Sequence, residues 1–186
     1  MEAPSIYTIG YGSRDLEDFL RLLGQFQIEY LIDVRSAPFS KFKPEFSRDA
    51  LQQALQRRRI RYVFMGDLLG GRPESADCYV GGKVDYGKVQ TTERFRLGIQ
   101  RLRNAWTKML IVCLMCSEGK PQECHRSKLI GRVLDSQGIP VRHIDADGIL
   151  ATQQQIVDIV LGGQESLFGE TFVSRKSYPP GQNAAG

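Results

Sequence analysis

Ser5-Ile6-Tyr7-Thr8-Ile9, broken by Gly10-Tyr11-Gly12-Ser13 and answered further on by Tyr30-Leu31-Ile32-Asp33-Val34, decides the fold. The first run is rich in β-branched and aromatic residues and reads as a strand. The glycines end it. Asp15 is then placed to cap a helix, with Asp18 three residues on. Leu16, Phe19, Leu20, Leu23 and Phe26 recur at helical spacing and make one apolar face. The second run is short and apolar, as a buried strand is. Strand, helix and strand in that order imply a parallel pair joined by a right-handed crossover.

The rest of the chain repeats the alternation. Arg35 to Phe46 is irregular and holds Pro38 and Pro44. Ser47 is placed to cap a second helix reaching about Arg58, and Ile60 to Met65 reads as a third strand. Gly66 to Gln90 reads as a long irregular segment, and loops of that kind often cover a site. A third helix is expected over about Thr92 to Trp106. Met109 to Met115 is the most apolar run and is expected to be the central strand. Cys124 to Gln137 reads as a helix stopped by Gly138. Ile139 to Ile144 reads as a fifth strand, and Gln153 to Leu161 as a last helix. The expectation is an α/β fold, a three-layer sandwich with a mostly parallel sheet of about five strands. Residues 1–173 are expected to form one domain. Residues 174–186, with Pro179-Pro180 and no periodicity, are expected to be a disordered tail.

Bulk properties exclude some classes. At 186 residues the chain can bury a full core without staples. Its net charge of +4 permits a nucleic acid or an anionic small molecule as partner and demands neither. No apolar run approaches the roughly 18 residues that a membrane span requires. Met1-Glu2-Ala3-Pro4 lacks the basic flank and apolar run of a secretion signal. Cys78, Cys113, Cys116 and Cys124 therefore read as thiols in a reducing, cytoplasmic setting and not as a disulfide framework.

In open parallel sheets, ligands bind beyond the carboxyl ends of the strands. That rule selects Gly10, Tyr11, Gly12 and Ser13 after the first strand. It selects Asp33, Arg35 and Ser36 after the second, and Cys116, Ser117 and Glu118 after the central one. The densest stretch is Cys116-Ser-Glu118-Gly-Lys-Pro121-Gln-Glu-Cys124-His125-Arg126. Pro121 suits a first helical turn. The free N–H groups of such a turn, with Arg126, make an anion site. A cysteine beside them has a lowered pKa. Cys116 or Cys124 is then a candidate nucleophile, with His125 or Glu118 moving the proton. Asp33 is a candidate base, and Arg35 a second anion clamp. Tyr11 and Phe42 are candidates for the pocket wall.

Other readings of these residues stay open. Cys113-x2-Cys116 with Cys124 and His125 resembles a zinc site. An offset of three residues along a strand, however, sends Cys113 to the face opposite Cys116, as a small buried hydrophobe. A site of Cys116, Cys124 and His125 would survive that loss. No metal is assigned, and the spacing identifies no cofactor. In a purely structural reading the cysteines pack, Glu118 pairs with Arg126, and Asp33 pairs with Arg35. His143 reads as a hydrogen-bonded structural histidine.

Several motifs together resemble the domain of unknown function 488 family. They are Thr8-Ile9-Gly10-Tyr11-Gly12, Leu31-Ile32-Asp33-Val34-Arg35-Ser36-x-Pro38-x-Ser40, Leu69-Gly70-Gly71, Cys116-x-Glu118-x2-Pro121-x2-Cys124-His125-Arg126, and the closing Val141-Arg142-His143-Ile144. The resemblance spans about Ile6 to Ile144 and implies an α/β fold without an activity. A strand ending Asp33-Val34-Arg35 is also similar to rhodanese-like sulfurtransferases and cysteine phosphatases, whose anion loop is shorter than the ten positions from Cys116 to Arg126. Gln164-Glu165-Ser166-Leu167-Phe168 resembles the peptide with which bacterial proteins dock into the DNA sliding clamp, Glu165 standing where leucine is common. The leading expectation is a small cytoplasmic enzyme acting on a phosphorylated or nucleotide-like anion through a Cys/Glu/His/Arg pocket. The rival is a nucleic-acid-associated binding protein, drawing on Arg57-Arg58-Arg59-x-Arg61 and on Gln164, Leu167 and Phe168 as a clamp contact.

Overall fold

The computed structural model of the chain describes residues 4–161 and 173–178. Strand β1 (Ile6–Gly10) leads into α1 (Leu16–Gln25) and β2 (Tyr30–Asp33). Helix α2 (Arg48–Arg57) then leads to β3 (Arg61–Phe64). The segment expected to be irregular carries α3 (Gly66–Leu69), a hairpin of β4 (Tyr79–Val80) and β5 (Lys83–Val84), and α4 (Tyr86–Thr91). Helix α5 (Glu93–Thr107) precedes β6 (Val112–Cys116). Residues Arg126–Gly131 form a π-helical turn that continues as α6 (Arg132–Ser136). The described chain closes with β7 (Val141–Ile144), β8 (Leu150–Thr152) and α7 (Gln153–Leu161).

The main sheet has the order β3-β2-β6-β1-β7-β8. Its first five strands are parallel, and β8 runs antiparallel to β7. This is the expected three-layer α/β sandwich, with one strand more than expected. Strand β8 is three residues long and returns directly from the turn that Asp145 closes by accepting from the Asp147 and Ile149 N–H groups.

Two apolar clusters cover the two faces of the sheet. Phe19, Leu22 and Leu23 of α1, with Leu51 and Leu55 of α2, pack on Ile9, Leu31, Cys113 and Met115. Phe95, Ile99 and Leu102 of α5, with Leu134 of α6, pack on Ile32, Val112, Leu114 and Cys116. Cys113 and Cys116 therefore face opposite layers, as their offset predicts. Helix α1 is capped as expected, Asp15 Oδ1 accepting from the Asp18 N–H at 2.8 Å. Ser47 occupies the cap position of α2 but does not cap it. Its hydroxyl accepts from the Ser40 N–H instead, pinning the loop after β2. Pro121 begins a separate 3-10 turn, Pro121–Glu123, and not the following helix.

Strands β1, β2 and β6 end side by side. Gly10 is in register with Cys116, and Asp33 with Met115. Beyond those ends the chain turns back across the sheet. Among the described residues, no helix is long and apolar enough to cross a membrane.

Candidate functional site

A cleft of about 240 Å³ opens at the carboxyl end of the sheet. Its floor is Cys116 at the end of β6 and Cys124-His125 from the turn before the π-helix. One wall is Tyr11 with the Arg35-Ser36 turn after β2. The other is Arg72, Tyr86 and the segment Ser174 to Tyr178. A larger hollow of about 580 Å³ lies along α1, but its charges pair among themselves, Arg21 with Asp18 and Arg58 with Glu17.

The floor is a triangle of two sulfurs and an imidazole nitrogen. His125 Nδ1 lies 3.6 Å from Cys124 Sγ and 3.8 Å from Cys116 Sγ. His125 Nε2 is 3.1 Å from the Val34 carbonyl. A carbonyl only accepts, so Nε2 carries the proton and Nδ1 turns toward the thiols. All three residues are more than nine-tenths buried. On the far side, Gly71 lets the chain approach the imidazole, since a Cβ there would meet Nδ1 at 3.0 Å.

Arg126 shapes this triangle from beneath. It is fully buried and stands outside the cleft lining. Its backbone N–H and its Nε both donate to Cys124 Sγ, at 3.5 and 3.3 Å. Nη1 donates to Thr8 Oγ1 at 3.0 Å and Nη2 to the Glu118 carbonyl at 2.6 Å. All three guanidinium nitrogens are thus engaged, and Arg126 is a counter-charge to sulfur and not the expected anion clamp. Its path requires Gly10, because a Cβ there would fall inside the Glu118 carbonyl and 2.7 Å from Arg126 Nη2. The π-turn that begins at Arg126 aims it there, and π-turns recur at functional sites.

The two floor thiols are pushed apart. Burial opposes charge on Cys124, but the hydrogen bond from Cys116, the Arg126 charge and the Arg126 N–H donors outweigh it and lower the pKa to about 6. Cys116 gives that hydrogen bond and is buried, so its thiol is pushed up to about 12. The arrangement favours the thiolate on Cys124 and the thiol on Cys116.

Other expected site residues have different places. Asp33 is fully buried and outside the cleft lining. Its Oδ1 accepts from the Arg35 N–H at 3.0 Å and Nε at 2.9 Å, and its Oδ2 from Arg35 Nη2 at 2.6 Å and the Tyr62 hydroxyl at 2.7 Å. With four donors on one carboxylate it orients Arg35 and has no lone pair turned to the cleft. Arg35 lines the cleft, but its charge is matched by Asp33, and the Tyr11 ring covers it at 5.5 Å. Glu118 sits on the rim, paired with Arg175 at 3.3 Å and Lys176 at 3.4 Å and not with the Arg126 side chain. Ser36 Oγ accepts from the Arg72 N–H at 2.9 Å and shapes the wall. Gly12 and Ser13 lie off the cleft, and Phe39 lines it where Phe42 was expected.

Several lining residues escape a reading of motifs, among them Arg72, Tyr86, Arg175 and Lys176. The last two belong to the expected disordered tail. Ser174 to Tyr178 instead cross the mouth as a strap. Val173 bridges Asp85, Ser174 exchanges hydrogen bonds with Val84, and the Tyr178 ring stacks under Arg72 at 4.5 Å. The clamp-like peptide Gln164 to Phe168 lies outside the described residues. Arg57 to Arg61 lie at the amino end of β3, away from the cleft, with Arg58 paired to Glu17.

The family model described as Domain of unknown function DUF488 matches residues 15–133, more than half of the chain. The chain belongs to that family. No match is found among curated proteins or among solved structures. The DUF488 match takes in the Asp33-Arg35 pair and the whole Cys116 to Arg126 stretch. It leaves out β1, β7 and the strap, so Thr8, His143, Arg175 and Lys176 join the site from beyond the matched span.

Proposed function

We propose that this DUF488 chain is a small enzyme that binds an anionic, phosphorylated or nucleotide-like substrate in the cleft and carries out its chemistry at Cys116, Cys124 and His125. One observation carries the reading: two cysteines and a histidine converge on the floor of a cleft whose mouth holds more cations than anions. Arg72, Arg175 and Lys176 stand there against Glu118 and Glu123. Arg35 is set aside because Asp33 matches it. A polar cleft with few convergent reactive groups is where substrates bind, and a local cationic excess raises the concentration of anions there. Four unpaired cysteines suit a reducing cytoplasmic location.

The test compares two alkylating agents of similar size on chelator-treated protein. Iodoacetamide is neutral and iodoacetate is an anion. Free thiols favour iodoacetamide. Cys124 in this cleft is expected to shift the ratio toward iodoacetate, and added salt is expected to reverse the shift. A ratio equal to that of a small free thiol, at low salt, would reject the anionic substrate.

A further inference from the structure

We propose that Cys116, Cys124 and His125 hold a divalent transition-metal ion, zinc by the character of the donors, with its fourth position open to the cleft. The inference takes its functional meaning from the reading of the cleft as a reaction site, but its own evidence is the donor set. Cys116 Sγ, Cys124 Sγ and His125 Nδ1 all lie within 4.8 Å of one another. Two thiolates and an imidazole are the ligands that zinc and its soft neighbours select. Tetrahedral coordination with metal–sulfur bonds of about 2.3 Å and metal–nitrogen bonds of about 2.05 Å sets ligand atoms roughly 3.5–3.8 Å apart. The two nitrogen-to-sulfur separations, 3.6 and 3.8 Å, already have that length.

The surroundings are those of a ligand cage. A metal-bound histidine is normally held by a hydrogen bond from its other ring nitrogen, which fixes the tautomer and the ring plane. His125 has that partner in the Val34 carbonyl at 3.1 Å. Thiolate ligands accept N–H donors that spread their charge. Cys124 Sγ has two, from the Arg126 backbone and Nε. Charge argues the same way. Arg126 can balance one buried thiolate, and a second would stand unmatched in a site this dry. A divalent ion balances both, and Arg126 keeps its donors on Cys124 Sγ, the Thr8 hydroxyl and the Glu118 carbonyl.

Three protein ligands and one free position are the arrangement of catalytic zinc, while structural zinc takes four. Here the fourth side is the cleft itself, since all three ligands line it. Among the described residues, no further histidine, cysteine or carboxylate joins the group. A metal there would take a water or an oxygen of the anionic substrate and polarise it, the chemistry of metal-assisted hydrolysis or transfer.

The experiment uses the untagged full chain purified without chelator. Elemental analysis is expected to give about one zinc, or an iron or cobalt in its place, per chain. After chelation, titration with Co²⁺ is expected to produce thiolate-to-metal charge-transfer absorption and the intense visible bands of four-coordinate cobalt. Cys124→Ser and His125→Gln, with folding checked by circular dichroism, are expected to weaken Co²⁺ by more than the ~10–100-fold that losing an outer-shell partner costs. Metal-free wild-type protein that gives no charge-transfer band with Co²⁺ would overturn the site, and so would unchanged Co²⁺ affinity in both variants. A protein that prefers iodoacetate after chelation yet shows no cobalt band keeps the cleft and loses the metal. One that binds cobalt without that preference keeps the metal and loses the anionic substrate.

Discussion

Thr8 Oγ1 and His143 Nδ1 lie 2.8 Å apart, on residues that are register partners of the parallel strands β1 and β7. The contact is one link of a buried chain. Arg126 Nη1 donates to Thr8 Oγ1 at 3.0 Å, which leaves the Thr8 proton for His143 Nδ1. His143 Nε2 then donates to Gln153 Oε1 at 2.8 Å, and Gln153 Nε2 donates to the Ser127 carbonyl at 3.2 Å. Every donor meets an acceptor in only one arrangement, with His143 neutral. Cys124 Sγ is thereby tied through Arg126 to β1, β7 and α7.

That arrangement makes stability pH-dependent. Burial, with the Arg126 charge nearby, lowers the His143 pKa to about 4 against the opposing Gln153 hydrogen bond. The folded value is below the unfolded one of about 6.5, so the unfolded chain binds the proton more readily. The contribution is complete above pH 6.5 and is lost as pH falls toward 4, to the extent of roughly 3 kcal/mol. Urea midpoints of wild type and His143→Gln between pH 4 and 7.5 check it. The wild type is expected to lose more stability over that window than the variant, and parallel curves would remove His143 from the account.

Much of the framework was legible because it rests on local rules. The spacing of Phe19, Leu20 and Leu23 fixed the buried face of α1, and the Cys113–Cys116 offset told the two cysteines apart. The carboxyl-end rule brought Tyr11, Arg35 and Cys116 to one cleft. The rest was illegible for a shared physical reason: it depends on where long side chains go. Arg126 reads as an anion clamp until the missing Cβ of Gly10 lets it pass beneath the sheet end. Asp33 reads as a base until Tyr62, on the neighbouring strand, fills its last lone pair. Arg175 reads as tail because its partner Glu118 is 57 residues away. Leu150–Thr152 is too short to show a strand period.

Asp33→Asn separates a base from a positioning residue. The carboxylate and the Arg35 guanidinium are both buried, 0% and 5% exposed, so the substitution strands a cation. Breaking one side of such a pair costs about 3–5 kcal/mol. Chemical denaturation is expected to show a loss of that size. A variant as stable as wild type would contradict the geometry of the pair.

Gly10→Ala tests the route of Arg126. The new methyl would collide with the Glu118 backbone and with the guanidinium, and neither has room to retreat. Overpacking at such a point costs about 1–3 kcal/mol or more. The rearrangement is also expected to move Arg126 away from Cys124 Sγ and slow alkylation of the floor. A melting temperature and an alkylation rate both equal to wild type would show that the sheet end is looser than the structure has it.

The strap offers the sharpest division between stability and function. Arg175 and Lys176 are about half exposed, and their pairs with Glu118 and Glu123 bridge the mouth in contact with water. Exposed pairs of this kind contribute within about 1 kcal/mol, so a double Arg175→Ala, Lys176→Ala variant is expected to melt close to wild type. Its effect on charge is larger, because only Arg72 then faces Glu118 and Glu123 and the cationic excess of the mouth is reversed. The preference for iodoacetate over iodoacetamide is expected to fall toward that of a free thiol, and its salt dependence to flatten. Arg175→Lys, which keeps the charge, is expected to retain most of the preference. If the double variant alkylates as wild type does, the strap plays no part in choosing the substrate's charge.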